Sequence, residues 1–220
     1  MGAIYDTTRP ETLLEALRLA RAAIGRGGLV VIPTDTVYGV AADAFDAPAV
    51  RALVAAKGRT PASPPPVLIS GLSTLDALAE VVHDEVRALA ERFWPGPLTI
   101  IVPARASLDL DLGETNGTIA LRIPNDPIAL ELLRETGPLA VSSANRTGEP
   151  PARSALAAEA ALGSSVEIII DGGDRGTVAS TIVDATALPD GPLRIVRVGA
   201  VAVEEIRTVL GPDRIMDGTV

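Results

Sequence analysis

Apolar residues recur along this chain in two spacings, one typical of helices and one typical of buried strands. Residues 13–24 follow a helical stripe that ends at Gly25. Residues 29–32 form a short, fully apolar run, as in a strand that is buried on both faces, and Pro33 ends it. The start of the chain therefore predicts a helix followed by a central strand.

The rest of the pattern continues this alternation. Strands are predicted at residues 98–102, 118–122, 139–142, 166–170, 180–183 and 193–198, and helices at residues 48–56, 74–81, 85–93, 127–135, 155–162 and 203–210. Asp46, Ser73 and Asp84 are expected to cap the first three of these helices. The alternation predicts an α/β fold with a twisted sheet covered by helices. We expect one domain over residues 1–210 and a flexible tail at residues 211–220.

Composition limits the chemistry. Hydrophobic residues make up 47% of the chain and aromatic residues only 2%, so the core should be aliphatic. Without cysteine, and with His83 as its one histidine, the chain offers no thiol nucleophile and no zinc site of the usual kind. It shows neither a signal peptide nor an apolar run of the roughly 18 residues that span a membrane. We therefore expect a cytoplasmic protein without membrane contact.

The net charge of −9 argues against a general affinity for nucleic acid. Any anion site must then be local, with Arg and Lys side chains gathered in one cleft. Eighteen of the 19 basic residues are Arg, and Lys57 is the exception. It is either a surface lysine kept by chance or part of a site that needs a compact ammonium. Its place at a predicted helix exit suggests little burial.

Polar and basic residues stand where predicted strands end. Thr34-Asp35-Thr36 and Ser142-Ser143-Ala144-Asn145 each follow a strand, and ligands of open α/β sheets bind at such edges. The first segment is alternatively a Ser/Thr or Asx turn, and the second a helix cap. Arg122 and Arg197 lie at the ends of two further strands, where each meets either an anionic ligand or an acidic side chain.

Other motifs are less informative. The chain has no phosphate-binding P-loop, and the glycines of residues 172–176 lack the spacing of a dinucleotide fingerprint. We interpret that cluster as a turn. His83 precedes a predicted helix, where a capping or surface role is expected.

Six segments, in order, are similar to one known family. They are Pro33-Thr-Asp-Thr-Val-Tyr-Gly39, Lys57-Gly-Arg59, Trp94-Pro-Gly-Pro-Leu-Thr99, Leu121-Arg-Ile-Pro124, Ser142-Ser-Ala-Asn145 and Ser180-Thr-Ile-Val183. Together they resemble the YrdC/Sua5 family, the L-threonylcarbamoyladenylate synthases of tRNA modification. The likeness extends from about Ile24 to Leu210, without the C-terminal domain of longer members.

The resemblance implies a single YrdC-like α/β domain, with a twisted, mostly mixed sheet flanked by helices and a large open cleft. It implies a nucleotidyltransferase that makes threonylcarbamoyl-AMP and pyrophosphate from L-threonine, bicarbonate and ATP. The product would pass to a tRNA threonylcarbamoyl transferase complex, which modifies adenosine-37 of tRNAs. This chemistry needs no covalent enzyme nucleophile, in agreement with the absence of cysteine.

The resemblance also assigns roles to residues. Lys57 and Arg59 would be catalytic, and the same two residues would bind ATP together with Thr118, Ser143, Asn145 and Arg197. L-Threonine would be held by Thr34, Arg122 and Ser180, with Arg122 suited to its carboxylate. Mg²⁺ is expected with the triphosphate, although no pair of carboxylates indicates a metal site made by the protein itself.

The chain departs from the family pattern at two places. Leu68 stands in the strand where many members have a histidine, and Gly148-Glu149-Pro150 stands where some have an arginine. Two other functions remain open. One is a non-catalytic role in RNA binding or ribosome maturation, with weak contact to tRNA, and the other is a different carbamoyl chemistry, as in hydrogenase maturation.

Overall fold

The computed structural model describes residues 2–60 and 62–216. This part of the chain contains seven α-helices and eleven β-strands. The helices are α1 (Pro10–Ile24), α2 (Ala47–Ala56), α3 (Leu72–Leu78), α4 (Asp84–Phe93), α5 (Pro127–Thr136), α6 (Ala155–Leu162) and α7 (Val203–Leu210). The strands are β1 (Ala3–Asp6), β2 (Val30–Ile32), β3 (Gly39–Asp43), β4 (Val67–Leu68), β5 (Leu98–Pro103), β6 (Thr118–Arg122), β7 (Leu139–Ser143), β8 (Ile168–Asp171), β9 (Thr181–Asp184), β10 (Leu193–Arg197) and β11 (Ile215–Met216).

All eleven strands belong to one mixed sheet. Their order across it is β1-β8-β2-β3-β7-β4-β6-β5-β9-β10-β11. Strands β2, β3 and β7 pair antiparallel, whereas β4 with β6 and β5 with β9 pair parallel. The α/β class and the mixed sheet expected from the sequence are confirmed.

One face of the sheet is covered by helices on both halves. At one half, Val31 and Val40 pack with Leu53 of α2 and with residues of α6. At the other half, Ile100 of β5 packs with α3, α4 and α7, for example with Leu89. Most of the residues on this face are apolar, as expected of a sheet surface under helices, and the buried hydroxyls of Ser142 and Thr181 are hydrogen-bonded there.

The opposite face is covered over only part of its width. Helices α1 and α5 pack on β2, β3, β7 and β8, with Leu132 of α5 against residues such as Ile32 and Val141. Farther along, alternate residues of β5 and β6 line an open cavity instead, among them Thr99 and Arg122. Successive side chains of a strand point to opposite faces, so the same strands contribute to the core and to the cavity.

Helix caps agree only partly with expectation. The Asp46 carboxylate accepts a hydrogen bond from Ala49 N at 3.1 Å and caps α2, as predicted. The predicted Ser73 cap is wrong, because α3 begins at Leu72, two residues earlier than predicted, and Gly71 holds the cap position. Asp84 is the first residue of α4 rather than its cap, and His83 holds the cap position without a capping side-chain hydrogen bond.

Four strands, β1, β3, β4 and β11, were not predicted from the pattern, and only the family resemblance indicated the strand at Leu68. β3 carries only small side chains at its centre, and its first residue must be glycine, since a Cβ on Gly39 would lie 2.5 Å from Val141 Cγ1.

Part of the tail expected at residues 211–220 is folded. Residues 212–214 form a turn of 3₁₀ helix, and β11 pairs with β10. Arg214 also pairs with Glu85 of α4, so this segment is held on both sides. Residues 217–220 lie outside the described residues. Among the helices that the structure describes, none is both long and apolar enough to cross a membrane.

Candidate active site

The cavity on the open part of the sheet has a volume of about 340 Å³. Its polar wall combines threonine and serine hydroxyls with three guanidinium groups. These polar residues are Thr34, Thr36, Arg59, Thr99, Thr115, Thr118, Arg122, Ser142, Ser143, Ser180 and Arg197. The structure thus brings together seven of the nine predicted site residues, and Lys57 and Asn145 lie outside the lining.

The loop after β2 forms one wall. Thr34 Oγ1 donates to Val37 O at 2.6 Å and accepts from the backbone N–H groups of Thr36 and Val37 at 3.2 and 3.3 Å. This is a Ser/Thr turn, one of the two interpretations of the sequence. Thr34 also lines the cavity. The same residue therefore forms the turn and is placed to contact a ligand.

Arg122 lies at the end of β6 and is almost completely buried, with 6% of its surface exposed. Its Nε donates to Gly96 O at 2.9 Å, its Nη1 to Thr36 Oγ1 at 3.1 Å and its Nη2 to Asp35 Oδ1 at 2.5 Å. The expectation of an acidic partner is confirmed. Burial lowers the pKa of Arg122, the carboxylate of Asp35 acts in the opposite direction, and Arg197 adds to the lowering. The group stays protonated, as arginine does in proteins.

Arg197 and Ser180 form a second cluster. Arg197 Nη2 donates to Ser180 O at 2.7 Å and to Ser180 Oγ at 3.3 Å. The Ser180 hydroxyl also shares a hydrogen bond of 2.9 Å with Thr99 Oγ1. Burial lowers the pKa of Arg197, and the nearby guanidinium of Arg59 lowers it further. Two like charges close together favour an anion between them.

Arg59 follows α2 and enters the cavity, where its Nη1 donates to Ser142 Oγ at 3.1 Å. Thr118, the first residue of β6, also lines the cavity, and its Oγ1 donates to Thr115 O at 2.8 Å. Leu68, the residue in place of the family histidine, also lines the cavity and supplies an apolar contact there.

Lys57 lies directly behind the cavity wall. It caps the C-terminus of α2, as predicted, but only 1% of it is exposed, so the expectation of little burial is wrong. Its Nζ donates to Ser143 O, to Asn145 O at 2.7 Å and to Asn145 Oδ1 at 3.3 Å. Burial and the charge of Arg59 lower the pKa of Lys57 to about 8. Lys57 therefore reaches the cavity through Ser143, which lines it.

Asn145 organises the loop beyond β7. Its Nδ2 donates to Arg146 O at 2.9 Å and to Glu149 O at 2.7 Å. The alternative of a helix cap for this segment is wrong, since Ser154 caps the next helix. The loop that includes Gly148-Glu149-Pro150 runs on to Pro151, which lines the cavity.

The glycine cluster of residues 172–176, interpreted as a turn, lies in the loop between β8 and β9. Tyr38 OH donates to Gly173 O at 2.7 Å and accepts from Gly172 N at 3.1 Å. Burial and the nearby Asp171 carboxylate raise the pKa of Tyr38 to about 12. The phenol thus ties this loop to the segment that carries Thr34.

Sequence reasoning missed Asp35, Thr36, Thr99 and Ser142 as individual participants. All four lie within the six quoted segments, so the signal was present, but only the fold shows their contacts. Among the residues that the structure describes, no group of three or more His, Cys, Asp and Glu side chains gathers as a metal site.

Comparison with known proteins adds a family. A family model described as "Telomere recombination", covering Sua5, YciO and YrdC, matches residues 22–199. A Mycobacterium tuberculosis protein provisionally named threonylcarbamoyl-AMP synthase is 45% identical over 97% of this chain and 97% of its own length.

Two further matches come from Pyrococcus abyssi. Its threonylcarbamoyl-AMP synthase is 39% identical over 90% of this chain and 58% of its own length. The crystal structure of P. abyssi Sua5 complexed with L-threonine matches with a TM-score of 0.87 and 35% identity, covering 97% of this chain and 62% of that one. On the extent of the family match and the agreement of the fold, the chain belongs to the Sua5/YciO/YrdC family.

Proposed function

We propose that this protein is an L-threonylcarbamoyladenylate synthase. It joins L-threonine, bicarbonate and ATP into threonylcarbamoyl-AMP and pyrophosphate. The observation that carries the proposal is the open cavity in which Arg122 lies near Thr34, Thr36 and Ser180 while Arg59 and Arg197 supply two further positive charges. Such a cavity suits one substrate with a carboxylate and a second with several phosphates. The named activity of the relatives and the threonine complex of P. abyssi Sua5 support it.

In this proposal Arg122, Thr34 and Ser180 bind threonine. The amine nitrogen of threonine forms a bond to the carbon of bicarbonate, and water leaves, which gives a carbamate. A carbamate oxygen then bonds to the α-phosphorus of ATP as the bond to the β-phosphate oxygen breaks and pyrophosphate leaves. The protein holds the reactants together and offsets negative charge, without forming a covalent bond to them.

The nucleotide side of the cavity has its own residues. Arg59 and Arg197 are assigned to the phosphates, and Thr118 and Ser143 to further nucleotide contacts. Lys57 and Asn145 act from behind the wall, since Lys57 Nζ bonds to Asn145 O and lies 3.4 Å from Ser143 Oγ. In this proposal both residues support Ser143 in the wall, and the direct contact with ATP that the resemblance implies for Lys57 and Asn145 stays a prediction. Mg²⁺ would be bound together with ATP, since phosphate oxygens are ligands that it prefers.

The surrounding pathway is part of the same proposal. A tRNA threonylcarbamoyl transferase consumes the adenylate in the cytoplasm, where ATP and tRNA occur together. The net charge of −9 favours catalysis over a role in general RNA binding.

The test is to incubate the protein with Mg-ATP, bicarbonate and each amino acid in turn, and to detect the AMP adduct by mass spectrometry. Threonine should be preferred over serine by about ten- to a hundredfold, since one methyl group is worth ~1–3 kcal/mol in such a pocket. Valine, which lacks the hydroxyl, should react more slowly still. Equal adduct formation with threonine, serine and valine would contradict the proposal, and so would adduct formation without bicarbonate.

A further inference from the structure

Asp35 is the carboxylate partner of the cavity arginine Arg122. It lies between Thr34 and Thr36, which both line the cavity, but Asp35 itself does not. Its Oδ1 accepts from Arg122 Nη2 at 2.5 Å and from the backbone N–H of Asn125 at 3.0 Å. Both side chains are largely buried, with 13% of Asp35 and 7% of Arg122 exposed. One oxygen of Asp35 therefore joins the loop after β2 to the segment after β6.

The hydrogen bonds of Arg122 leave a defined set of donors. An arginine has five N–H groups. Gly96 O occupies the one on Nε, Thr36 Oγ1 one on Nη1 and Asp35 Oδ1 one on Nη2. One N–H therefore remains on each terminal nitrogen. Two such groups in the plane of one guanidinium match the two oxygens of a carboxylate.

Charge makes the partnership necessary. A buried guanidinium without a counter-ion is strongly unfavourable, and Arg122 also feels the positive charge of Arg197. Without the Asp35 carboxylate, Arg122 would be drawn toward solvent or toward another acceptor. The two remaining N–H groups of Arg122 would then no longer be held in one fixed orientation in the cavity.

We propose that Asp35 is a positioning residue that holds the Arg122 guanidinium for the carboxylate of threonine. This inference rests on the proposed function. Asp35 acts through Arg122 rather than on the reacting atoms, because it is not part of the cavity lining. The hydrogen bonds described for Asp35 join it to Arg122 and Asn125, and not to Arg59 or Arg197 on the other walls of the cavity.

The experiment is Asp35→Asn, which keeps the shape of the side chain and removes its charge. Titration calorimetry should show that the Kd for L-threonine rises about tenfold or more, as expected when a charged hydrogen bond is lost. The Kd for a non-hydrolysable ATP analogue should stay within twofold of wild type. A purely structural defect would weaken both ligands, so the split between them identifies a positioning role.

Asp126→Asn is the matched control. Asp126 is also a buried acid with an arginine partner, since its Oδ2 accepts from Arg175 Nη2 at 2.9 Å, but neither residue lines the cavity. Its threonine Kd should stay within twofold of wild type. Asp35→Glu moves the carboxylate by one methylene and should give a threonine Kd between those of wild type and Asp35→Asn. If the Asn variant does not fold, the Glu variant alone must show weaker threonine binding and unchanged binding of the ATP analogue.

The outcomes separate the two proposals. If wild type neither binds threonine nor forms the adduct, the proposed function is wrong and the role of Asp35 falls with it. If wild type does both, three results would overturn the role of Asp35 alone. These are threonine affinity unchanged by Asp35→Asn, an equal loss of both ligands, and an equal loss of threonine binding in Asp126→Asn.

Discussion

One face of the sheet is covered by α1 and α5 over one half and lines the open cavity over the other half. In both halves, alternate side chains of each strand point to this face. Where α1 and α5 cover the face, its strands present aliphatic residues such as Val30 and Ile32. Where no core cluster covers it, β5 and β6 present Thr99, Thr118 and Arg122 to the cavity. The other face is mainly apolar in both halves. Stability and ligand binding are thus separated along one face, and substitutions in the two halves should have different consequences.

The largest expected effect is on the covered half. Leu132→Ala removes a side chain of α5 that is 1% exposed and packs on this half. The free energy of unfolding should fall by about 2–5 kcal/mol, from lost burial and the cavity left behind. Denaturant titration measures it, and threonine affinity below the unfolding transition should stay unchanged. Leu156→Ala is the control, because Leu156 is 69% exposed and its loss should change stability by less than ~0.5 kcal/mol. A large loss in both variants would contradict the comparison.

In the open half, a substitution should weaken ligand binding and leave the free energy of unfolding almost unchanged. Arg197→Met removes a guanidinium that lines the cavity and keeps an apolar stem. We expect the Kd for an ATP analogue to rise about tenfold or more, since a charged hydrogen bond contributes ~1.5–3 kcal/mol, while stability changes little. Calorimetric titration and denaturation of the same samples give both values. Arg194→Met on the same strand is the control. Arg194 forms an ion pair with Asp184 at 2.9 Å, and neither of these residues lines the cavity. Equal loss of affinity in the two variants would show that charge alone, and not the cavity, matters.

The smallest effect is expected at the boundary between the halves, where Lys57 bonds to β7. The pKa of Lys57 is lowered from its ordinary value of 10.5 to about 8. Between these values the unfolded chain binds more protons than the folded one, so this residue makes the free energy of unfolding rise with pH. Denaturation of wild type and Lys57→Met from pH 7 to 10 should show this rise in wild type alone. Above pH 10 the raised pKa of Tyr38 acts in the opposite sense, so the comparison is confined below it. Parallel curves for the two proteins would show that Lys57 does not titrate in this range.

The alternation of helices and strands was readable because most elements carry strong patterns. The predicted bounds of β6, α6 and α7 agree with the structure to the residue. β3 was missed because its small residues have no strand pattern of their own, and it is a strand because β2 and β7 pair with it on both sides. β11 has only two residues and depends on β10. Tertiary pairing decides such segments, and local sequence does not.

The site was predictable as a set of segments but not as a set of contacts. Arg122 was expected to meet either a ligand or an acid, and its partner Asp35 is 87 residues away along the chain. Lys57 was expected at a helix exit, where side chains are usually accessible, but the turn after β7 closes over it. Both outcomes depend on loops that meet only in the folded sheet.

The burial of the only lysine gives the protein a built-in reporter of its own opening. A protease that cuts only after lysine has one internal target, the bond that follows Lys57. In the closed structure this bond lies at the end of α2. The Nζ of Lys57 donates hydrogen bonds to three oxygens of Ser143 and Asn145, all within 3.3 Å. When reclosing is faster than cleavage, the cutting rate follows the population of open molecules. A ligand that binds the cavity beside Ser143 should therefore slow digestion in proportion to its occupancy.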